Sequence, residues 1–213
     1  MKELTDALDA DFIGYEGIYN KLRGFKKFGN DEAYVDDIAK DIIDHFFNYL
    51  LTRKTFRGGI YGGGCSTFSR APNYGAAVGA TPSGKRKREP LIADSIAAVP
   101  GRDTKGPTAL VNSVSKYDQL LAKSGFVFNI KFDKKLFGTE KGKESFMNLT
   151  KVYFNNGGQQ ISVNVVSADD LRAAQAEPEK YGSLIVRVGG YSAYFNSLTK
   201  ELQDSVIERT EYA

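Results

Sequence analysis

The sequence lacks most of the residues that build metal sites, disulfides and membrane spans. Cys65 is the only cysteine, which excludes a disulfide within the chain, and His45 is the only histidine. No cysteine or histidine cluster has the spacing of metal ligands, so we expect no metal site. No apolar run approaches the roughly 18 residues of a transmembrane helix, and the first residues do not resemble a signal peptide. These absences favour a protein of the reducing cytoplasm with no membrane partner.

Charge of one sign is also scarce, because the formal net charge of the 213 residues is only +3. This is too little to indicate a nucleic-acid or membrane-surface partner. The short basic run at residues 85–88 is flanked by glycine and proline, so a solvated loop is favoured over a nucleic-acid patch. With 41% hydrophobic and 26% charged residues, the composition is typical of a globular domain with its own core.

The most informative stretch lies near the end of the chain, at residues 187–195, where two glycines are followed by aromatic residues. It follows an apolar β-type run and precedes a helix-like segment. Glycine permits a positive φ and a close backbone approach, so Gly189 and Gly190 predict a strand-to-helix turn. In the simplest interpretation, the aromatic residues that follow belong to a hydrophobic core.

A second interpretation uses the chemistry of the glycine α-carbon. A radical there lies between an amide nitrogen and a carbonyl, and without a side chain it becomes planar and delocalises in both directions. Such a radical needs a dry, closed site, because water and oxygen consume reactive intermediates. The rings of Tyr191, Tyr194 and Phe195 would help to close it. The spacing of the residues alone leaves both interpretations open.

The stretch resembles the C-terminal signature of the glycyl radical enzymes, the family of pyruvate formate-lyase, glycerol dehydratase and choline trimethylamine-lyase. The matching residues are Arg187-Val188-Gly189-Gly190-Tyr191, continued through residues 195–200 to residues 207–210. The family signature reads Arg-Val-(Ser/Ala/Gly)-Gly-Tyr, and its radical glycine precedes the tyrosine. The resemblance implies that Gly190 carries the radical and that Arg187, Val188, Gly189 and Tyr191 support its loop. Gly189 is either part of a hinge or a plain turn glycine.

Resemblance to this family implies a radical mechanism and its partners. An activating enzyme with an iron–sulfur cluster and S-adenosylmethionine removes a hydrogen atom from Gly190. The glycyl radical oxidises a cysteine to a thiyl radical, which takes hydrogen from a small-molecule substrate. The chain itself then binds no cofactor, and the chemistry is anaerobic and oxygen-sensitive. Because the glycine must swing out to be activated, residues 167–213 are expected to form a detachable unit.

The cysteine of this mechanism is expected outside the chain. In the family it lies in a Cys-x-Glu type motif several hundred residues before the radical glycine, whereas Cys65 is followed by Ser66 and Thr67. We therefore interpret Cys65 as a loop cysteine and expect the chain alone to be inactive on substrate. The chain resembles the last quarter of a full enzyme. It is then a subunit of a split enzyme, a piece of a longer chain, a radical-bearing repair protein or, without a radical, an interaction module.

Within the family, three segments look most like the trans-4-hydroxy-L-proline dehydratases. They are residues 62–70, 92–98 and 159–166. This resemblance would place Thr67 or Phe68 near the substrate, with a structural role as the alternative for each. Glycerol or diol dehydratases and C–N lyases are the other candidates. Pyruvate formate-lyase is less similar because Gly189 stands in place of its serine.

One segment of the sequence departs from the family pattern, and the single histidine adds nothing to it. Ser83 and Lys85 differ from a Gly-Ala-Thr-Pro-Asp-Gly-Arg segment of the family, so the roles of that aspartate and arginine do not carry over. His45 lies within a strongly periodic helical segment, and we interpret it as a partly buried helix residue instead of a catalytic one.

Hydrophobic periodicity predicts a loosened helix over residues 1–22 and a long helix over residues 31–53, the latter capped by Asn30 or Asp31. Residues 54–119 are rich in glycine and proline and are expected to form loops. Ser167 is predicted to cap a further helix, which stops near a proline.

Strands are expected at residues 126–132, 159–166 and 184–186, and their alternation with helices favours the α/β class. The resemblance implies the C-terminal part of a ten-stranded α/β barrel with the glycyl radical domain. We expect residues 1–120 to form helices and loops around the barrel and residues 121–213 to form the radical domain. Unpaired strand edges would then require a partner or self-association.

Overall fold

The structure is a computed structural model that describes residues 1–66, 71–90, 95–209 and 211–212. Within the described residues, the chain divides into two compact units. The first unit comprises Met1–Lys26 and Phe68–Ile92, and the second comprises Lys27–Thr67 and Ala93–Ala213. In this described part of the chain, no helix has the length and apolar character needed to cross a membrane.

Helices and short strands alternate along the second half of the chain, as expected for the α/β class. The helices are α1 (Lys2–Asp9), α2 (Glu16–Gly24), α3 (Ala33–Leu51), α4 (Ala71–Ala77), α5 (Pro107–Val114), α6 (Glu140–Asn155), α7 (Ala168–Ala176) and α8 (Lys200–Ile207). The strands are β1 (Asn129–Phe132), β2 (Ser162–Val165), β3 (Ile185–Arg187), β4 (Ser192–Tyr194) and β5 (Glu211–Tyr212).

In the first unit, the helix predicted over residues 1–22 is interrupted after α1. Asp11 and Phe12 take positive φ angles of 52° and 62°. The resulting turn buries Phe12 fully beside Ala7 and Leu22, and the Phe12 amide donates to the Ala7 carbonyl at 2.7 Å. The apolar pattern is therefore shared by two short helices, because burial of the Phe12 ring offsets the cost of its left-handed backbone.

The basic run at residues 85–88, expected to be a solvated loop, is only partly solvated. Lys85 Nζ donates to three nearby backbone carbonyl oxygens at 2.8–3.3 Å. The guanidinium of Arg86 donates to the Asp11 carbonyl at 2.7 Å and lies 4.6 Å from the centre of the Tyr19 ring. The other two residues of the run are exposed. Half of this charge therefore stabilises the loops of the first unit.

In the second unit, the long helix predicted over residues 31–53 is confirmed as α3. Its N-cap is Glu32, which makes no side-chain capping hydrogen bond, so the predicted caps Asn30 and Asp31 are wrong. Asn30 is buried, and its Nδ2 donates to the Arg102 carbonyl at 2.7 Å. Its amide group is thus used to join two loops and is not available to the helix.

The framework of the second unit is a parallel sheet in the order β2–β1–β5. Asn129 of β1 pairs with Ser162 of β2, and Phe132 of β1 pairs with Tyr212 of β5. Helix α6 joins β1 to β2, as a parallel crossover requires. The first two strands are present but shorter than predicted, and β5 was not expected.

The two faces of this sheet differ, because successive side chains of a strand point to opposite faces. Ile130 and Phe132 of β1 point into a large hydrophobic cluster, which we call the main core. Its buried members are Phe47, Ile96, Ala98, Leu110, Val111, Val114, Tyr117, Ala122, Phe126, Phe128, Ile130, Phe132, Tyr153 and Tyr212. The opposite face, which we call the polar sheet face, carries Asn129, Lys131, Ser162, Asn164 and Glu211.

A second hydrophobic cluster, the C-terminal core, is built by residues 166–207, which we call the C-terminal segment. Its buried members are Leu171, Ala174, Val186, Val188, Phe195, Val206 and Ile207. The helix predicted to follow Ser167 is confirmed as α7, and Ser167 Oγ accepts from the Asp170 amide at 3.0 Å. The segment therefore has apolar packing of its own, separate from the main core.

Candidate functional site

The stretch with two glycines forms a β-hairpin, not the predicted strand-to-helix turn. β3 and β4 pair in antiparallel fashion, with Arg187 opposite Ser192, and the Val188 amide donates to the Tyr191 carbonyl at 2.9 Å. We call residues 185–194 the glycine hairpin. The sequence did not reveal β4, because its three residues become a strand only through pairing with β3.

Gly190 lies at the tip of the hairpin and has a φ of +84°. A Cβ built on it would lie 3.3 Å from Val127 Cγ2, closer than most side-chain contacts. A positive φ and a nearby side chain both disfavour any residue with a Cβ here. The geometry therefore favours glycine at this position, whatever its chemistry.

Arg187 connects the base of the hairpin to its tip. Its guanidinium donates to Gly190 O at 3.1 Å, to Ser192 Oγ at 3.0 Å and to Ser162 Oγ at 3.4 Å. The carbonyl of the tip glycine thus accepts a hydrogen bond from a permanent cation. A lysine could not make these three contacts together, because it lacks the planar fork of an arginine.

Val188 and Gly189 hold the hairpin from beneath. Val188 is buried in the C-terminal core, and Gly189 is buried as well. The Val188 carbonyl accepts from Asn129 Nδ2 at 3.3 Å and from the guanidinium of Arg209. The backbone of the residue before the two glycines is therefore held by hydrogen bonds from two other parts of the chain.

The aromatic residues after the glycines do not close the site within the part of the chain that the structure describes. Gly190 is exposed, and the side chains of Tyr191 and Tyr194 are 38% and 54% exposed. Phe195 alone of the three is fully buried, in the C-terminal core. Among the described residues the two tyrosines therefore leave Gly190 open, and the expectation that these rings help to close the site stays a prediction. Any enclosure of Gly190 has to come from outside the described residues.

Cys65 lies on the opposite side of the extended segment that contacts Gly190. Cys65 forms a parallel bridge with Phe126 and packs against the main core, whereas the side chain that approaches Gly190 is that of Val127. Neighbouring residues of an extended chain point to opposite faces. Burial also raises the pKa of the Cys65 thiol, which makes it a weaker acid. These observations fit the interpretation of Cys65 as a structural loop cysteine.

Three other residues were considered in the sequence: Thr67, Phe68 and His45. Thr67 and Phe68 lie outside the described residues. His45 is exposed on α3, so the expectation of partial burial is wrong. Across residues 1–66, 71–90, 95–209 and 211–212, no three histidine, cysteine, aspartate or glutamate side chains form a group that could hold a metal ion.

Three residues that hydrogen-bond to the backbone of the hairpin were not predicted from the sequence. The side chain of Asn164 bonds to both the amide and the carbonyl of Arg187. Asn129 and Arg209 both donate to the carbonyl of Val188. A signal was present, because polar residues occupy alternate positions in two otherwise apolar strands. Such alternation usually indicates a solvent-exposed face, so the pattern alone does not predict that these side chains bind another segment.

Comparisons with known proteins define the class to which this fold and hairpin belong. The family model described as "Glycine radical" matches residues 92–196, a range that includes the glycine hairpin. The model described as "Pyruvate formate lyase-like" matches residues 1–75. The chain belongs to the glycyl radical enzyme family, and the resemblance seen in its sequence is confirmed.

Individual relatives are similar over the whole chain. Trans-4-hydroxy-L-proline dehydratase of Clostridioides difficile is 38% identical over 212 residues, which cover 99% of this chain and 27% of that protein. The glycerol-bound structure of the B12-independent glycerol dehydratase from Clostridium butyricum is 38% identical with a TM-score of 0.95, covering 100% of this chain and 27% of that one.

A structure concerning 1,2-propanediol dehydration in Roseburia inulinivorans is 41% identical with a TM-score of 0.94, covering 99% of this chain and 27% of that one. The chain therefore spans about a quarter of the length of the relatives that it matches.

Proposed function

We propose that Gly190 stores a glycyl radical. The observation that carries the proposal is the position of Gly190 at the exposed tip of the hairpin, directly before Tyr191 and within the range of the "Glycine radical" model. Without a Cβ, its α-carbon becomes planar on losing a hydrogen atom. A Cβ at this position would crowd the neighbouring Val127 methyl, at 3.3 Å, which disfavours a larger residue.

The residues around Gly190 support the radical through its backbone. The Arg187 guanidinium on the Gly190 carbonyl favours spin delocalisation towards that carbonyl, because the cation stabilises electron density on its oxygen. Val188 and Gly189 anchor the buried base of the turn, and Tyr191 accepts the hydrogen bond that closes it. In this proposal these four residues support the loop and Gly190 reacts.

The radical acts by transferring hydrogen atoms. Gly190 takes a hydrogen atom from a cysteine thiol, which restores the glycine and leaves a thiyl radical on sulfur. The thiyl radical takes a hydrogen atom from the substrate and returns one at the end of the reaction. Because Cys65 packs against the main core, the reacting cysteine belongs to a region or chain beyond these residues. An activating enzyme that uses S-adenosylmethionine and an iron–sulfur cluster removes the first hydrogen atom from Gly190.

For the substrate we propose trans-4-hydroxy-L-proline, which would lose its 4-hydroxyl as water and give a pyrroline carboxylate. The support is the similarity to the Clostridioides difficile enzyme over the whole chain, with Thr67 and Phe68 as candidate substrate neighbours. Glycerol and 1,2-propanediol are the alternatives, because the relatives that act on diols are as similar. A C–N lyase or pyruvate formate-lyase reaction is a more distant alternative.

The larger architecture belongs to the same proposal. The three-stranded sheet would be part of a ten-stranded α/β barrel, with residues 1–120 around the barrel and residues 121–213 as the radical domain. The rest of the barrel would enclose Gly190, whose exposure in this chain leaves it open to water and oxygen.

The cysteine-bearing region is expected to pack on α3. One face of this helix exposes five large hydrophobic residues at helical spacing: Tyr34, Ile38, Ile42, Phe46 and Tyr49. Roughly three quarters of each relative has no counterpart in this chain, and it is the occupant that we propose for this face. Ile42→Asp should abolish association with a separately produced cysteine-bearing part, whereas Val152→Asp on α6 should not. Equal binding by both variants would refute this assignment.

The test of the radical site is anaerobic electron paramagnetic resonance after incubation with an activating enzyme and S-adenosylmethionine. The wild type should give a doublet and Gly190→Ala should give none. Gly157→Ala is the matched control, because Gly157 also has a positive φ of +94° but no atom within 4 Å of an added Cβ. A signal in Gly190→Ala would overturn the assignment.

The second candidate function is an interaction module without a radical, which the exposed apolar face of α3 would suit. Exposure of the activated protein to air distinguishes the two functions. A glycyl radical reacts with oxygen and cleaves the backbone, so residues 190–213 should be released. Intact protein after treatment with an activating enzyme that works on a full-length relative would favour the interaction module.

A further inference from the structure

The polar sheet face has an unusual property for a buried surface. Asn129, Lys131, Ser162 and Asn164 are all at most 4% exposed, although each is polar or charged. They occupy alternate positions of β1 and β2, and the strand register places Asn129 beside Ser162 and Lys131 beside Asn164. Buried polar groups are costly unless their hydrogen bonds are made, so their partners are informative.

Every member of the polar sheet face bonds to the C-terminal segment. Lys131 Nζ donates to Ile207 O at 3.0 Å, and Glu211 Oε2 accepts from the Ala168 amide at 2.7 Å. Asn129 Nδ2 donates to Val188 O at 3.3 Å, and Ser162 Oγ accepts from the Arg187 guanidinium at 3.4 Å. The fifth member, Asn164, bonds to the backbone of Arg187. Hydrogen bonds thus join the segment to all five members of the polar sheet face.

Asn164 makes the most regular of these contacts. Its Oδ1 accepts from the Arg187 amide at 2.7 Å, and its Nδ2 donates to the Arg187 carbonyl at 3.0 Å. The side-chain amide therefore pairs with β3 as the peptide group of a neighbouring strand would. Asn164 thereby holds the backbone of Arg187, which lies three positions before Gly190. The guanidinium of Arg187 in turn donates to the Gly190 carbonyl.

We propose that Asn164, assisted by Asn129, is a positioning residue that docks the glycine hairpin on a hydrophilic and therefore reversible surface. The biological role of this docking rests on the proposed radical function of Gly190, whereas the structural test below does not depend on it. When the segment leaves, water replaces its hydrogen bonds to the polar sheet face. The main core and the C-terminal core are separate clusters, so in this proposal each keeps its own apolar packing when the segment undocks.

The experiment is hydrogen exchange of single amides by NMR in the 213-residue chain, comparing the wild type with Asn164→Ala. The decisive reporter is the Ala168 amide, because its acceptor Glu211 is untouched by the substitution. Loss of two hydrogen bonds should speed its exchange roughly fivefold to a hundredfold. The Leu171 amide, inside α7, and the Ser162 amide, inside the main sheet, should keep their wild-type exchange.

Two further variants keep the proposal open to refutation. Asn129→Ala should speed Ala168 exchange by roughly twofold to tenfold, since it removes one longer hydrogen bond. Asn112→Ala, which removes an asparagine bonded to Asp31, should leave the Ala168 amide unchanged. Wild-type exchange of Ala168 in Asn164→Ala would overturn the proposal. An equal rise at Ala168, Leu171 and Ser162 would also overturn it, because it would indicate global destabilisation.

A functional measurement separates this inference from the proposed function. With an activating enzyme, Asn164→Ala should acquire its radical faster than the wild type, because the segment leaves the sheet more readily. Absence of any radical in both proteins, together with the predicted exchange pattern, would refute the function and leave the docking surface standing. A normal radical with unchanged activation and unchanged Ala168 exchange would refute the docking role alone.

Discussion

The main core and the C-terminal core belong to the same unit but are stabilised differently. In the main core, Phe132 contacts the rings of Phe137, Phe146 and Tyr212 at centroid distances of 5.5–6.3 Å, and Phe128 contacts Tyr153 at 5.1 Å. The C-terminal core is smaller and mostly aliphatic around the ring of Phe195. The two cores face the same sheet from opposite sides, one across an apolar face and the other across a polar one.

This difference indicates which region of the unit can move while the other stays folded. Separating an apolar interface costs free energy in proportion to the area exposed, whereas separating a polar interface exchanges one set of hydrogen bonds for another. The region that carries Gly190 is the one attached through the polar face. Local opening there does not require the aromatic core to open.

The largest expected effect comes from removing one ring from each core. Phe132→Ala should lower the free energy of unfolding of the whole second unit by roughly 3–5 kcal/mol, because it leaves a cavity among the rings of its three aromatic neighbours. Phe195→Ala should unfold the C-terminal segment at lower denaturant while the main sheet remains. Denaturation followed by residue-resolved hydrogen exchange checks this, and a single shared transition in Phe195→Ala would contradict the two-core description.

Alkaline pH should weaken the main core. Burial raises the pKa of Tyr153 to about 12 from 10.0, so the unfolded state loses this proton first. The free energy of unfolding should therefore fall between those pH values, by about 1.4 kcal/mol per pH unit for this group. Tyr153→Phe should remove its part of the slope in denaturation experiments. Burial also raises the pKa values of Tyr117 and Tyr212, so their contributions to the slope should remain in Tyr153→Phe. A slope equal to that of the wild type would contradict the prediction.

The docking of the C-terminal segment should respond to pH in the opposite direction. Burial lowers the pKa of Lys131 below 10.5, although Glu211 lies 3.5 Å away and raises it, and the charges of Arg209 and Arg172 lower it further. Docking thus disfavours the charged amine, and this penalty is relieved as pH rises from the lowered pKa towards 10.5.

The check is the protection of the Ala168 amide, corrected for intrinsic exchange. It should increase with pH in the wild type and lose this dependence in Lys131→Met. Protection that falls with pH in both proteins would show that the segment follows the main core.

The smallest effect comes from removing a helix cap on each side. Thr139 Oγ1 accepts from the Gly142 amide at the start of α6, and Ser167 Oγ accepts from the Asp170 amide at the start of α7. Replacement by alanine should cost about 1 kcal/mol in each case. Thr139→Ala should lower the stability of the main sheet, whereas Ser167→Ala should speed exchange only in the C-terminal segment. Ser205→Ala, inside α8, serves as the control.

The accuracy of the sequence predictions follows the range of the interactions involved. The helices α3 and α7 were predicted because their apolar spacing and, for α7, its serine cap are local. The interruption after α1 was missed, since it depends on burying Phe12 against Ala7 on one side of the turn and Leu22 on the other. Strand β5 was missed because its two residues pair with a strand some eighty positions earlier in the chain.

By itself, the sequence determined the family, the identity of Gly190 as the candidate radical residue and the helices with strong local signals. These depend on residue order and on contacts within a few turns of chain. The tertiary structure decided the rest: the hairpin instead of a turn, the separation of Cys65 from Gly190, and the grip of Asn164 on Arg187. Each of these requires contact between segments that are distant in sequence. In addition, the sequence pattern of a polar residue in a strand is the same whether its hydrogen-bond partner is water or another segment.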